Sequence, residues 1–281
     1  MRKTPSSKIL APEISALFKR AYDEFHSQFH LEKDPIYHVH RFTTPGDQEV
    51  IALLSSILAY GNVATILSSV YKAADPLGDQ PKSLIQKGFS KNPLPYFRHR
   101  FTTGEDIWVI FERLKAIYER YETLEDFYLE GATDSRMEVM LSRFVDRFFA
   151  VPVSGKIAAV EKRRMRSLRY LLPHPARGSA CKRLNLFMRW MVRRKDGIDL
   201  GLWMKVNPNT LLLPVDTHLL KLLRELRWTS SKVANWKVAE AATIELRKIS
   251  PEDPIRYDFS LCHLSMSRLS IKTYQQGKMS E

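Results

Sequence analysis

The chain has 281 residues, 44% of them hydrophobic, and its 44 Lys or Arg outnumber its 31 Asp or Glu to give a formal net charge of +13. That apolar content suffices for one large core or two smaller lobes. No run approaches the roughly 18 consecutive apolar residues of a membrane span, and Met1-Arg2-Lys3-Thr4-Pro5-Ser6-Ser7-Lys8 lacks the apolar stretch of a signal peptide, so a soluble cytoplasmic protein with no membrane partner is expected.

Few alternating apolar runs and only 11 glycines predict an all-α chain. Pro12 suits a first helical turn, and Ile14, Leu17, Phe18, Tyr22 and Phe25 follow at helical spacing. A proline-broken stretch from Lys33 to Gly46 ends that helix. Within it, His38 and His40 have strand-like spacing and no acidic neighbours that would make a metal site. Asp47 is the expected cap of an apolar segment, Val50 to Tyr60, that reads as a buried central helix. Gly61-Asn62 punctuates it, and a further helix runs to Ala74.

Shorter helices are predicted over Lys82 to Gly88, Glu105 to Tyr121, Leu124 to Leu129, Ser135 to Phe149 and Lys156 to Leu172. Pro173-His174-Pro175-Ala176-Arg177-Gly178 must be a turn, since two prolines and a glycine cannot continue a helix. Leu184, Phe187, Met188, Met191 and Val192 then mark a helix that Lys182 opens. Leu219, Leu220, Leu223 and Leu226 mark another that Asp216 caps. Thr229 and Ser250 are the expected caps of two final helices. Cys181 and Cys262 are too few for a disulfide framework, a Cys-based zinc site or an iron–sulfur cluster, so no cofactor is expected, and Cys181 reads as a small packing residue.

Charge is distributed unevenly. Residues 156 to 195 hold 13 Lys or Arg and one acid, Glu161, a local net of +12, while the other 241 residues carry 31 basic and 30 acidic groups. A field concentrated in one such segment suits a polyanion backbone. Lys182 sits inside it, at a helix N-terminus, where free N–H groups and the dipole disfavour a charged amine.

Helix, turn, helix with Lys182 opening the second helix, followed by Pro214-Val215-Asp216-Thr217-His218, resembles the helix-hairpin-helix superfamily of DNA glycosylases. The resemblance spans residues 45 to 268, and the 34-residue interval from Lys182 to Asp216 is similar to that of the archaeal 8-oxoguanine glycosylase branch. More closely, Lys-Arg-Leu-Asn-Leu-Phe, Arg-Trp-Met-Val-Arg, Leu-Gly-Leu-Trp and Asp-Pro-Ile-Arg-Tyr-Asp-Phe resemble a family of bacterial conserved proteins of unknown function. The chain departs from the superfamily at the hairpin, where the usual Leu-Pro-Gly-Val-Gly is replaced by a longer turn with one glycine, so that Arg177 or His174 would have to meet a phosphate in place of backbone N–H groups.

The resemblance implies a two-lobed fold, one lobe over 48–196 and the other combining 9–44 with 205–275, with an extruded nucleotide received between them. It implies a monomeric, nucleoid-associated base-excision repair enzyme acting on double-stranded DNA with damaged bases, an oxidised purine such as 8-oxoguanine being favoured. Asp216 would stabilise positive charge on the sugar and Lys182 would attack C1′ to form a Schiff base. Arg163, Arg164, Arg166, Arg177, Arg183 and Asn62 are the expected DNA contacts, and Asp258, Tyr257 and His263 the expected base pocket. Trp190 and Trp203 are candidates for stacking on a base or for filling an interface between lobes. Two other readings stay open: a DNA- or RNA-binding protein that kept the fold without catalysis, and a small-molecule enzyme with a Schiff-base lysine.

Overall fold

The computed structural model describes residues 11–267, apart from 154, together with 274. The described residues are predominantly helical. They form α1 (Ala11–Phe25), α2 (Pro45–Ile57), α3 (Val63–Ala74), α4 (Pro81–Lys87), α5 (Gly104–Tyr118), α6 (Leu124–Leu129), α7 (Met137–Ala150), α8 (Gly155–Leu171), α9 (Lys182–Val192), α10 (Thr217–Glu225), α11 (Trp236–Ile249) and α12 (Asp258–Met266). None of these helices is long and apolar enough to cross a membrane.

The central helix α2 is buried on every side from Val50 to Ile57, as its unbroken apolar run requires, and it packs against α9. Of its two buried acids, Glu49 is satisfied by the Tyr118 hydroxyl at 3.0 Å, the Leu124 amide at 2.8 Å and the Trp203 indole N–H at 2.7 Å. Trp203 is thereby a core residue, as is the fully buried Trp190. Helices α1 and α10 both pack on α12, and the stretch 35–41 packs on α2 and α3. The buried apolar side chains form one continuous cluster that runs through all of these elements.

Several expectations are corrected. Thr44, not Asp47, holds the N-cap position of α2. Asp47 sits at its third residue and uses its carboxylate to accept from the Thr44 hydroxyl and, at 2.8 Å, from the Lys82 amide. His38 and His40 lie in a 3-10 turn, Pro35–Arg41, rather than on a strand, because Pro35 and the Asp34 cap start a helical turn there. Asn235 caps α11, while the Thr229 hydroxyl accepts from the Ser231 amide in a local turn. Ser250 is the residue on which α11 ends.

A two-stranded antiparallel hairpin, Arg98–His99 with Thr102–Thr103, precedes α5 and is too short to announce itself as alternation. It is anchored to Tyr60, just past α2, and to Ser69 of α3. The His99 ring reaches Ser69 Oγ at 2.8 Å and the Tyr60 carbonyl at 3.0 Å, and the Tyr60 hydroxyl donates back to the His99 carbonyl at 2.9 Å.

Candidate active site

The turn after α8 is closed by its own groups. Gly178 takes a left-handed φ of +76°, its amide donates to the Pro175 carbonyl at 2.8 Å, and His174 accepts from the Ala176 amide. Cys181 follows with φ +45°, its thiol directed at the Pro173 carbonyl and pushed by burial up to about 12, so it packs rather than reacts. Lys182 is therefore the first residue of α9, with its side chain about one-third exposed.

Asp216 caps α10. Its Oδ1 accepts from the Leu219 amide at 2.8 Å, and its Oδ2 lies 3.5 Å from Lys182 Nζ. Two helix N-termini thus converge through a lysine and a carboxylate that are 34 positions apart in sequence. The separation is longer than the roughly 2.7–2.9 Å of a tight charge-assisted hydrogen bond, so the pair attracts without locking.

Sequence reasoning singled out Asp258 but missed the other carboxylates behind this pair. Asp34, which caps the turn at Pro35 by accepting from the Ile36 amide at 3.0 Å, is raised above its ordinary value by burial. It lies within electrostatic range of Arg189, Asp199 and Lys182. Cys262 on α12 is held well above the usual thiol range by burial and then by Asp216 and Asp258, with Lys182 and Asp34 also in range, so this face of α12 borders the lysine. No one-dimensional signal marks Asp34 except its position before a proline.

Below the pair lies a buried ionic network. Arg189 Nε contacts Asp199 Oδ1 at 3.0 Å and its Nη1 contacts Asp258 Oδ2 at 2.5 Å. Arg193 joins Asp199 to Asp196 and, at 2.8 Å, to Asp253. Burial opposes the charge on Arg189, but Asp199, Asp258 and Asp34 more than offset it and hold the guanidinium above its ordinary value. Counted formally, with His26 beside Asp196 taken as neutral, the three cations Lys182, Arg189 and Arg193 face the six acids Asp34, Asp196, Asp199, Asp216, Asp253 and Asp258, an excess of three negative charges, although burial raises Asp34 and lifts Asp258 to about 6. Such a site favours positive charge developing beside it.

The other expected site residues are dispersed. Asp258 is buried by its pairing with Arg189, which makes it a support for the site rather than an acceptor open to a base. Tyr257 packs on Phe18 and Tyr22 of α1, and His263 lies buried against Phe259 and His30. Asn62 is exposed as the cap of α3, accepting from the Ala64 amide at 3.0 Å. Arg183 is not a surface cation: it is buried, stacks on the rings of Tyr60 and Tyr170, and donates to the Tyr170 carbonyl. Arg164 pairs with the buried Asp106, and Arg163 with the half-buried Glu105. Arg166 and Arg177 are exposed, the latter beside Arg169 and His174 around a small cavity at the turn.

The local net of +12 is thus an overestimate of the field a ligand would meet, because Arg163, Arg164, Arg189 and Arg193 are met by acids from other segments. No curated protein and no solved structure matches the chain. A family described as a protein of unknown function (DUF2400) matches over residues 34–267, a span that includes Asp34, Lys182, Asp216 and Cys262, and the chain belongs to that family.

Proposed function

We propose that this protein is a bifunctional DNA glycosylase and abasic-site lyase of the helix-hairpin-helix type, with Lys182 as nucleophile and Asp216 as its electrostatic partner. The observation that carries the reading is the 3.5 Å approach of Lys182 Nζ to Asp216 Oδ2 at the meeting of two helix N-termini, next to a turn that bears exposed Arg177.

Breaking an N-glycosidic bond places positive charge on the sugar. Asp216 Oδ2, fixed by the cap on its other oxygen, and the acid excess behind it stabilise that charge without reorganising. For attack, Lys182 gives up a proton; its Nζ–C1′ bond then forms as the bond from C1′ to the base breaks, and the base leaves with the electron pair and takes up a proton. Opening of the sugar ring yields the iminium, and loss of a proton from C2′ expels the 3′ phosphate. An amine nucleophile suits an oxidised purine, whose glycosidic bond is not already activated by a positive charge as in alkylated purines. 8-Oxoguanine is the favoured substrate.

Release of base from duplexes carrying single lesions tests the reading. Faster excision of 8-oxoguanine than of 3-methyladenine or uracil is expected. Preferential release of 3-methyladenine would overturn the substrate assignment, and absence of release from every lesion would overturn the glycosylase assignment.

A further inference from the structure

A second cavity, of about 510 Å³, lies along α8, lined by Phe101, Arg163, Arg164, Arg166, Ser167 and Tyr170 and not by Lys182 or Asp216. Two of its walls are aromatic rings that a folded chain would ordinarily cover: Phe101 is 47% exposed and Tyr170 42%. Their centroids are 4.5 Å apart and their planes meet at 79°, so they form an open corner. A third ring, Tyr60, backs the corner, stacked on Phe101 at 5.3 Å and edge-on to Tyr170 at 5.2 Å.

The corner is held rigid from behind. Phe101 occupies the turn of the short hairpin, next to Arg100, whose φ of +55° is a left-handed conformation that favours glycine and is adopted here by a bulky residue. The His99 and Tyr60 hydrogen bonds pin one side of that turn, and Arg164 Nη2 pins the other by donating to the Phe101 carbonyl at 3.1 Å. Arg183, one residue from Lys182, lies over both Tyr60 and Tyr170 and so ties the corner to the start of α9.

The rim is cationic and partly available. Arg164 is fixed by the buried Asp106, but Arg166 is exposed, and the Arg163–Glu105 pair joins an exposed arginine to a half-buried acid near the surface and is hence weak enough to exchange for another anion. A flat π surface bordered by guanidinium groups matches an unpaired nucleotide, with its base against the rings and its phosphate against the arginines. We infer that this corner binds one unpaired nucleotide of a DNA strand flanking the duplex, giving the protein a preference for junctions between paired and unpaired DNA. The inference rests on the reading of the protein as a DNA binder, but not on its chemistry at Lys182.

Binding of the full chain to a blunt duplex, to the same duplex with a short unpaired extension bearing 2-aminopurine, and to a free nucleoside monophosphate tests it. The extended duplex is expected to bind about tenfold more tightly than the blunt one, with quenching of the 2-aminopurine. Phe101→Ala should abolish both effects, and Phe101→Leu, which keeps an apolar contact for Tyr60 but not a planar face, should abolish the quenching. Arg166→Ala should weaken the extended duplex more than the blunt one. Borohydride trapping on an abasic duplex should be unchanged in both Phe101 variants, which separates this site from the Lys182 chemistry. Equal affinity for blunt and extended duplexes, or a preference that survives Phe101→Ala, overturns the inference. Occupation of the corner by the free monophosphate as tightly as by the extended duplex overturns its assignment to a strand.

Discussion

The two oxygens of Asp216 have separate partners: Oδ1 accepts from the backbone of α10, and Oδ2 faces Lys182 at 3.5 Å. Capping and charge can therefore be separated by one substitution. Asparagine caps helices as well as aspartate, so Asp216→Asn should shift the unfolding midpoint little while lowering base release at least about 100-fold. Retention of wild-type release on a confirmed substrate would remove Asp216 from the chemistry.

Asp34 offers the same separation. Asp34→Asn keeps an acceptor for the Ile36 amide but removes a half-buried negative charge near Lys182 and Arg189. The expected result is a folded protein whose base release falls about tenfold, less than in Asp216→Asn. An effect on stability with none on rate would make Asp34 a cap alone.

The arginines of α8 should divide into two classes. Arg164→Ala leaves the fully buried Asp106 without its ion pair and should cost on the order of 3 kcal/mol of stability. Joint replacement of the exposed Arg166, Arg169 and Arg177 by glutamate should leave stability nearly unchanged and should flatten the dependence of duplex affinity on salt by about two to three in log–log slope. A salt slope unchanged by the triple substitution would place the DNA elsewhere.

His263 gives a pH signature. Burial depresses its folded value from the ordinary 6.5 to about 4, with His30 and Arg189 adding to the effect, so the folded protein carries it neutral at pH 7. The unfolded chain binds the proton first as pH falls; the stability tied to the neutral ring is thus complete above about pH 6.5 and is lost between there and about pH 4. Denaturant unfolding at pH 7, 5.5 and 4.5 should show this decline, and His263→Gln should flatten it. An unaltered acid slope in His263→Gln would assign the decline to other groups.

Much of the scaffold is written locally in the chain. The Pro173-to-Gly178 turn and the apolar spacing after it place the start of α9 at Lys182, and the leucines after Asp216 place the start of α10, because helix periodicity and proline chemistry act over a few residues. Caps were less legible. Thr229 and Ser250 have side chains suited to an N-cap, yet the same side chains serve turns and helix ends equally well, as both do here. Least legible were pairings set by the tertiary fold. Arg189 and Asp258 are 69 positions apart, and Arg164 and Asp106 are 58 apart, so counting charge within a window credited to the surface cations that the fold neutralises.

Borohydride trapping with an abasic-site or 8-oxoguanine duplex tests most directly whether Lys182 forms a covalent bond to the sugar. A crosslinked species mapping by mass spectrometry to Lys182, lost in Lys182→Gln while that variant still binds duplex, is the expected result. A crosslink that persists in Lys182→Gln, or no crosslink from a wild-type protein that binds the duplex, would contradict it.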